Sequence, residues 1–153
     1  MKNPKNIVIS TFDILYSNKS QITKFYLVGF TGLIINLLLS YSFHTFYGLE
    51  QIYASIIGIS VSITSNFIIN KFFTFNNKDL SLYGIFSQYL KYITFNFIGV
   101  LLQITIVALL KDLDFDYSFV VIVAVGIASI ANYIFNKKFT FNFATNKTEI
   151  KNE

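Results

Sequence analysis

Charged residues break this chain into four long silent stretches: Phe25 to Leu49, Gln51 to Asn70, Tyr92 to Leu110 and Tyr117 to Asn136 contain no Asp, Glu, Lys or Arg. Each is close to the roughly 20 residues that carry a helix across about 30 Å of hydrocarbon. A soluble bundle would need a charged outer face recurring along every helix, and these stretches have none. The pattern predicts an all-α polytopic membrane protein with four transmembrane helices, over about residues 25–47, 51–70, 88–110 and 117–136.

Within those spans the polar residues are ordered. Ser55, Gly58, Ser62, Asn66 and Asn70 follow one another at three- and four-residue spacing on the second span, which places them on one helix face. Ala124, Ala128, Asn132 and Asn136 do the same on the fourth, Gly29, Gly32, Asn36 and Ser40 on the first with His44 at the outer end, and Asn96, Gly99 and Gln103 on the third. Small residues let helices approach closely, and amides inside a bilayer usually bond to a neighbouring helix. Packing alone accounts for much of this pattern.

One phrase occurs twice. Ser65–Asn76 reads SNFIINKFFTFN and Ala131–Asn142 reads ANYIFNKKFTFN, at a constant offset of 66. The preceding spans also align, Lys24-Phe25 with Lys91-Tyr92, Gly32 with Gly99 and Asn36 with Gln103, at an offset of 67. A unit of two spans returns the chain to its starting side, so the prediction is two parallel two-helix repeats related by an axis along the membrane normal. Each copy ends in Asn-x-x-x-Asn-Lys, two amides on one face with a cation at the water boundary. Lys71 and Lys137 either anchor the helix by snorkelling or belong with the amides to a ligand pathway. Phe73, Phe75, Phe139 and Phe141 read as an interfacial aromatic belt, with Thr74 and Thr140 offering hydroxyls to backbone or lipid.

Composition agrees. Hydrophobic residues make up 54% of the 153-residue chain and charged residues 13%, about half the share of a typical soluble domain, roughly 25%. The net charge of +4 comes from lysine alone, since arginine is absent. Lysines cluster before the first span, between the second and third, and after the fourth, and only Lys111 is left for the other side beside Asp112, Asp114 and Asp116. Both termini are therefore expected in the cytoplasm. The stretch Met1–Ser20 is interrupted by Asp13 and carries no small-residue cleavage site, so it is expected as an interfacial amphipathic helix rather than a secretory signal.

Catalytic constellations are missing from the sequence. There is no cysteine, no His-Glu-x-x-His, no Gly-rich phosphate loop and a single histidine. Neither enzymatic activity nor a cofactor, a metal site or a nucleic-acid partner is expected. The alternating aspartates of the outer loop read as solvated charge or a weak cation site. A proton-coupled exporter would need a carboxylate buried in a span, whereas every Asp and Glu lies outside the four stretches.

Four spans, a basic-aromatic start at Lys24-Phe25 followed by Val28-Gly29, and the signature Asn66-Phe67-Ile68-Ile69-Asn70-Lys71-Phe72-Phe73-Thr74-Phe75 closing the second span together resemble the GtrA-like family of membrane proteins. The echo at Asn132 to Phe141 extends the likeness over about residues 20–143. This chain has Lys71 and Phe73 where the family usually carries Arg and Trp, and Lys91 where Arg is common. The resemblance implies a transmembrane domain over residues 24–143 between an N-terminal segment, 1–23, and a tail, 144–153. It further implies flippase-type movement of a polyprenyl-phosphate-linked monosaccharide across the cytoplasmic membrane of a prokaryote, for a separate membrane glycosyltransferase that modifies cell-surface polysaccharide or teichoic acid. On that reading Lys24, Lys71, Lys91 and Lys137 attract the phosphate. Asn66, Asn70, Asn132 and Asn136 bond the headgroup, and Asn36, Asn96 and Gln103 continue the route. A homodimer is expected, because the small-residue faces also suit a second copy. The alternative is a non-transporting scaffold for the glycosyltransferase.

Overall fold

A computed structural model describes residues 18–110 and 116–141. The described chain is helical: α1 spans Lys19–Thr45, α2 Gln51–Ile69, α3 Leu82–Leu110 and α4 Tyr117–Phe135. α2 and α4 each run on into a five-residue π-helical turn, Asn70–Thr74 and Asn136–Thr140. The chain divides into two compact units at Asn76–Asn77. The first holds the α1–α2 hairpin and the second the α3–α4 hairpin. All four helices have the length and apolar character of membrane spans.

The helices outrun the uncharged stretches. α1 starts at Lys19 rather than near residue 25, α3 starts at Leu82, and the π turns carry the other two to Thr74 and Thr140. A charge marks where hydrocarbon ends, not where backbone hydrogen bonding ends, so Lys24 and Lys91 stand within helices. Of the stretch Met1–Ser20, read as an interfacial helix, residues 1–17 lie outside the described residues, as do Lys111, Asp112 and Asp114, whereas Lys19 and Ser20 begin α1. Asp116 caps α4, its carboxylate accepting from the Ser118 and Phe119 amides at 2.8 and 3.3 Å, which satisfies donors that a helix start leaves unpaired.

Each hairpin is packed inside out. Many buried positions are small or polar, among them Gly32, Ala54, Gly58 and Ser62 in the first and Gly99, Ala124 and Ala128 in the second, beside a few large ones such as Phe25, Phe67, Tyr92 and Tyr133. Leu27, Phe30, Leu37, Ile52, Phe97, Ile104 and Ile122 are exposed. Lipid is the only solvent in which such a surface is inexpensive. Close approach is tightest in the first hairpin. A methyl on Gly32 would overlap the Asn66 amide, one on Gly58 would overlap Asn36 and Ser40, and the Ser62 hydroxyl donates to the Gly32 carbonyl at 2.7 Å. Gly29 does not belong to that seam. It is exposed with open space where a side chain would stand, because the buried face of α1 runs Phe25, Val28, Gly32 and Gly29 is turned about 100° from Val28 at 3.6 residues per turn. The hairpin turn uses Gly48 at φ +67°, and His44 Nδ1 lies 2.9 Å from the Leu49 carbonyl.

The aromatic tails split. Phe73 and Phe139 face outward, about half exposed. Phe75 packs edge-on against Phe25 at 6.1 Å, and Phe141 is buried against Tyr92 at 6.2 Å. The belt expected of all four therefore holds two. The wide turn explains it: the Phe75 and Phe141 amides bond five residues back, to the Asn70 and Asn136 carbonyls, at 2.9 and 3.0 Å, and the extra residue in the turn swings the second phenylalanine onto the hairpin.

Candidate functional site

The Asn-x-x-x-Asn-Lys groups sit where α2 and α4 pass into their π turns. Asn lies four residues before Asn on an α-helical face, and the second Asn opens the wide turn, so both amides meet the seam of their own hairpin. In the second hairpin they form a connected chain. Asn132 Nδ2 donates to Asn96 Oδ1 on α3 at 3.0 Å, Asn136 Nδ2 donates to Asn132 Oδ1 at 2.9 Å, and the Thr140 hydroxyl donates to Asn136 Oδ1 at 3.0 Å. Asn96 Nδ2 in turn donates to the Tyr92 carbonyl at 2.8 Å. Asn136 and Thr140 are fully buried. The side-chain oxygens of Asn96, Asn132 and Asn136 thus each accept a hydrogen bond.

The first hairpin places the same residue types differently. Asn70 and Lys71 are buried to within 1% of complete enclosure. The Asn66 side chain lies against Gly32. Asn66 Oδ1 and Thr74 Oγ1 are buried yet bond to no described residue. Beyond them toward the middle of the span the polar seam continues through Ser62, Asn36 and Ser40, whose hydroxyl donates to Asn36 Oδ1 at 3.1 Å. The second hairpin has Ala128, Ala124 and Val120 buried along the corresponding stretch.

The lysines occupy unequal settings. Lys71 is buried beside its motif, with its ammonium 5.8 Å from the Phe72 ring, and is not the snorkelling anchor that a boundary lysine would be. Lys24 lies over the Phe73 ring at 4.8 Å, a cation–π contact that ties α1 to the π turn. Lys137 is half-buried near Tyr133, and Lys91 is half-buried in α3. Gln103 stands seven residues beyond Asn96, half-buried, and is not joined to the Asn96–Thr140 chain by any of its hydrogen bonds. Among the described residues no cluster of His, Cys, Asp and Glu could hold a metal ion.

Sequence reasoning passed over the residues that clamp these turns. Gln21 Nε2 donates to the Thr74 carbonyl at 3.0 Å, and Asn77 Nδ2 donates to the Phe141 carbonyl at 2.9 Å. Asp79 accepts from the Ser81 amide and hydroxyl and from Gln88 Nε2, organising the start of α3. A signal was present, because Gln21 and Gln88 stand at the same offset of 67 as Lys24 and Lys91.

This arrangement of four apolar helices in two hairpins, each ending on the same buried amide turn, coincides with a known family. The family model described as GtrA/DPMS, transmembrane domain, matches residues 24–148. The chain belongs to this family. The GtrA/DPMS match takes in α1 from Lys24 on, the other three helices and both π turns, and it is consistent with a multi-pass membrane protein that handles polyprenyl-phosphate sugars. No curated protein sequence matches the chain.

Proposed function

We propose that the protein is a flippase for a polyprenyl-phosphate-linked monosaccharide, acting without enzymatic chemistry in the cytoplasmic membrane of a prokaryote and supplying a membrane glycosyltransferase on the other side. The observation that carries the reading is the amide column at each hairpin end, Asn66 and Asn70, Asn132 and Asn136, set inside helices whose outer surfaces are apolar. The GtrA/DPMS match supports it.

The physical task is to move a phosphate and a sugar through about 30 Å of hydrocarbon. A bare charge at the bilayer centre costs at least about 2.5 kcal/mol on the mildest scale. Amides lower that barrier by exchanging hydrogen bonds with the headgroup while the prenyl chain stays in lipid. Lys24, Lys71, Lys91 and Lys137, on the side assigned to the cytoplasm, draw the phosphate to the amides. Lysine presents a point charge rather than a planar fork, which holds a phosphate without fixing its orientation and suits a ligand that must leave again. Net movement follows consumption of the lipid on the far side. The protein is taken to pair as a homodimer, the commonest closed assembly, through surface other than the small-residue seams, which lie inside the hairpins; native mass measurement in mild detergent checks this by returning twice the 17.5 kDa chain mass.

The test uses purified protein in sealed liposomes carrying a short-chain prenyl-phosphate-glucose analogue. Protein-dependent transfer between leaflets is expected, and its loss on combining Asn66→Ala with Asn132→Ala in a folded protein places the route on the repeated motif. Transfer at the background rate by well-folded wild-type protein with several sugars would overturn the flippase reading in favour of a scaffold for the glycosyltransferase.

A further inference from the structure

The two copies of the motif are chemically alike but not equally satisfied, and the difference has a source in the sequence. In the second hairpin Asn132 is held by Asn96. The position corresponding to Asn96 in the first hairpin, at the offset of 67, is Gly29, which has no side chain and is exposed. Asn66 therefore lacks the partner its counterpart has, and its Oδ1 is buried without a hydrogen bond to any described residue. Eight residues on, the Thr74 hydroxyl is in the same condition in a side chain only 5% exposed, whereas the corresponding Thr140 hydroxyl bonds Asn136. A buried acceptor left unmatched is destabilising in any solvent and more so at membrane depth.

We propose that the repeats have divided their labour: the first hairpin binds the headgroup, through Asn66 and Thr74, and the second is a closed structural copy. The inference rests on the flippase reading for its ligand class and adds which copy the ligand meets and by what groups. A phosphodiester offers acceptors only, so it cannot satisfy Asn66 Oδ1. Sugar hydroxyls donate, and they match it. Thr74 both donates and accepts, which suits either group at the end of the seam. The two side chains are about 12 Å apart along the helix at 1.5 Å per residue, so they act on a passing headgroup in turn, with Ser62, Asn36 and Ser40 continuing the polar face beyond Asn66.

The experiment measures binding to the full chain in mild detergent, with two probes: a short-chain prenyl phosphoglucose, and the same prenyl chain as a methyl phosphodiester of equal charge. Wild-type protein is expected to prefer the sugar lipid by about tenfold or more, the scale of one or two hydrogen bonds to a buried group. Asn66→Ala removes that preference and Thr74→Val lowers affinity, and both variants keep or raise the melting temperature because no hydrogen bond is lost. Asn132→Ala and Thr140→Val lower the melting temperature yet keep the sugar preference. Equal affinity of the wild type for both probes, equal loss of preference in Asn66→Ala and Asn132→Ala, or loss confined to Asn132→Ala overturns the division of labour. The flippase reading fails separately: sugar preference retained at Asn66 with no transfer in liposomes leaves the binding hairpin in place and removes the transport.

Discussion

Gly58 and Ala124 occupy corresponding positions of the two hairpins, and exchanging one for the other tests how closely the first pair of helices is packed. A methyl added at Gly58 would stand 2.7 Å from the Asn36 carbonyl oxygen and would also overlap the Asn36 and Ser40 side chains. Ordinary carbon–oxygen contact begins near roughly 3.3 Å, and the backbone atom among the neighbours cannot rotate away. The helices must part by about 0.5 Å, a gap that forfeits about a quarter of the dispersion energy of the atoms facing it. Overpacking of this kind costs about 1–3 kcal/mol, against a gain of about 1 kcal/mol for replacing Gly by Ala inside a helix. Gly58→Ala is therefore expected to destabilise by up to about 2 kcal/mol. Gly99→Ala is the control, since its methyl would meet Asn132 at 3.8 Å, an ordinary contact, and the helix gain of up to about 1 kcal/mol is kept. Thermal unfolding in mild detergent, followed by circular dichroism, reads both. A Gly58→Ala protein more stable than the wild type, or a Gly99→Ala protein destabilised as much as Gly58→Ala, would refute the packing argument.

Asn132→Ala removes the bonds to Asn96 and Asn136 and leaves both partners short, so it is expected to cost about 1–2 kcal/mol in the same unfolding assay. Asp116→Ala deletes the cap of α4, with an expected cost of about 1 kcal/mol, while Asp116→Asn retains most of it. Gly29→Asn places an amide where Asn96 stands in the other hairpin, in open space. It is expected to raise the melting temperature and to weaken binding of the sugar lipid, and unchanged affinity would show that Asn66 remains available to ligand.

The four spans, the family and the twofold repeat were legible because each depends on local composition. Hydrocarbon excludes charge residue by residue, so Phe25 to Leu49 and its three counterparts announce themselves without knowledge of their neighbours. The site was legible as a list: Asn66, Asn70, Asn132 and Asn136 could be placed on seam faces from helical spacing alone. Its state was not. The phrase Asn-Lys-x-Phe-Thr-Phe carries no sign that the backbone widens into a π turn, and the turn is what sends Phe75 and Phe141 inward and brings Gln21 onto the Thr74 carbonyl. Spacing along one helix likewise cannot say whether an amide finds a partner, because the partner lies on another helix. Asn132 is satisfied by a residue 36 positions away, whereas Asn66, of the same type in the same motif, faces a glycine. Sequence by itself determined which residues must enter the membrane and which polar groups travel with them; only the tertiary structure decided which of those groups are already bonded, since hydrogen-bond satisfaction is a property of pairs brought together across the hairpin.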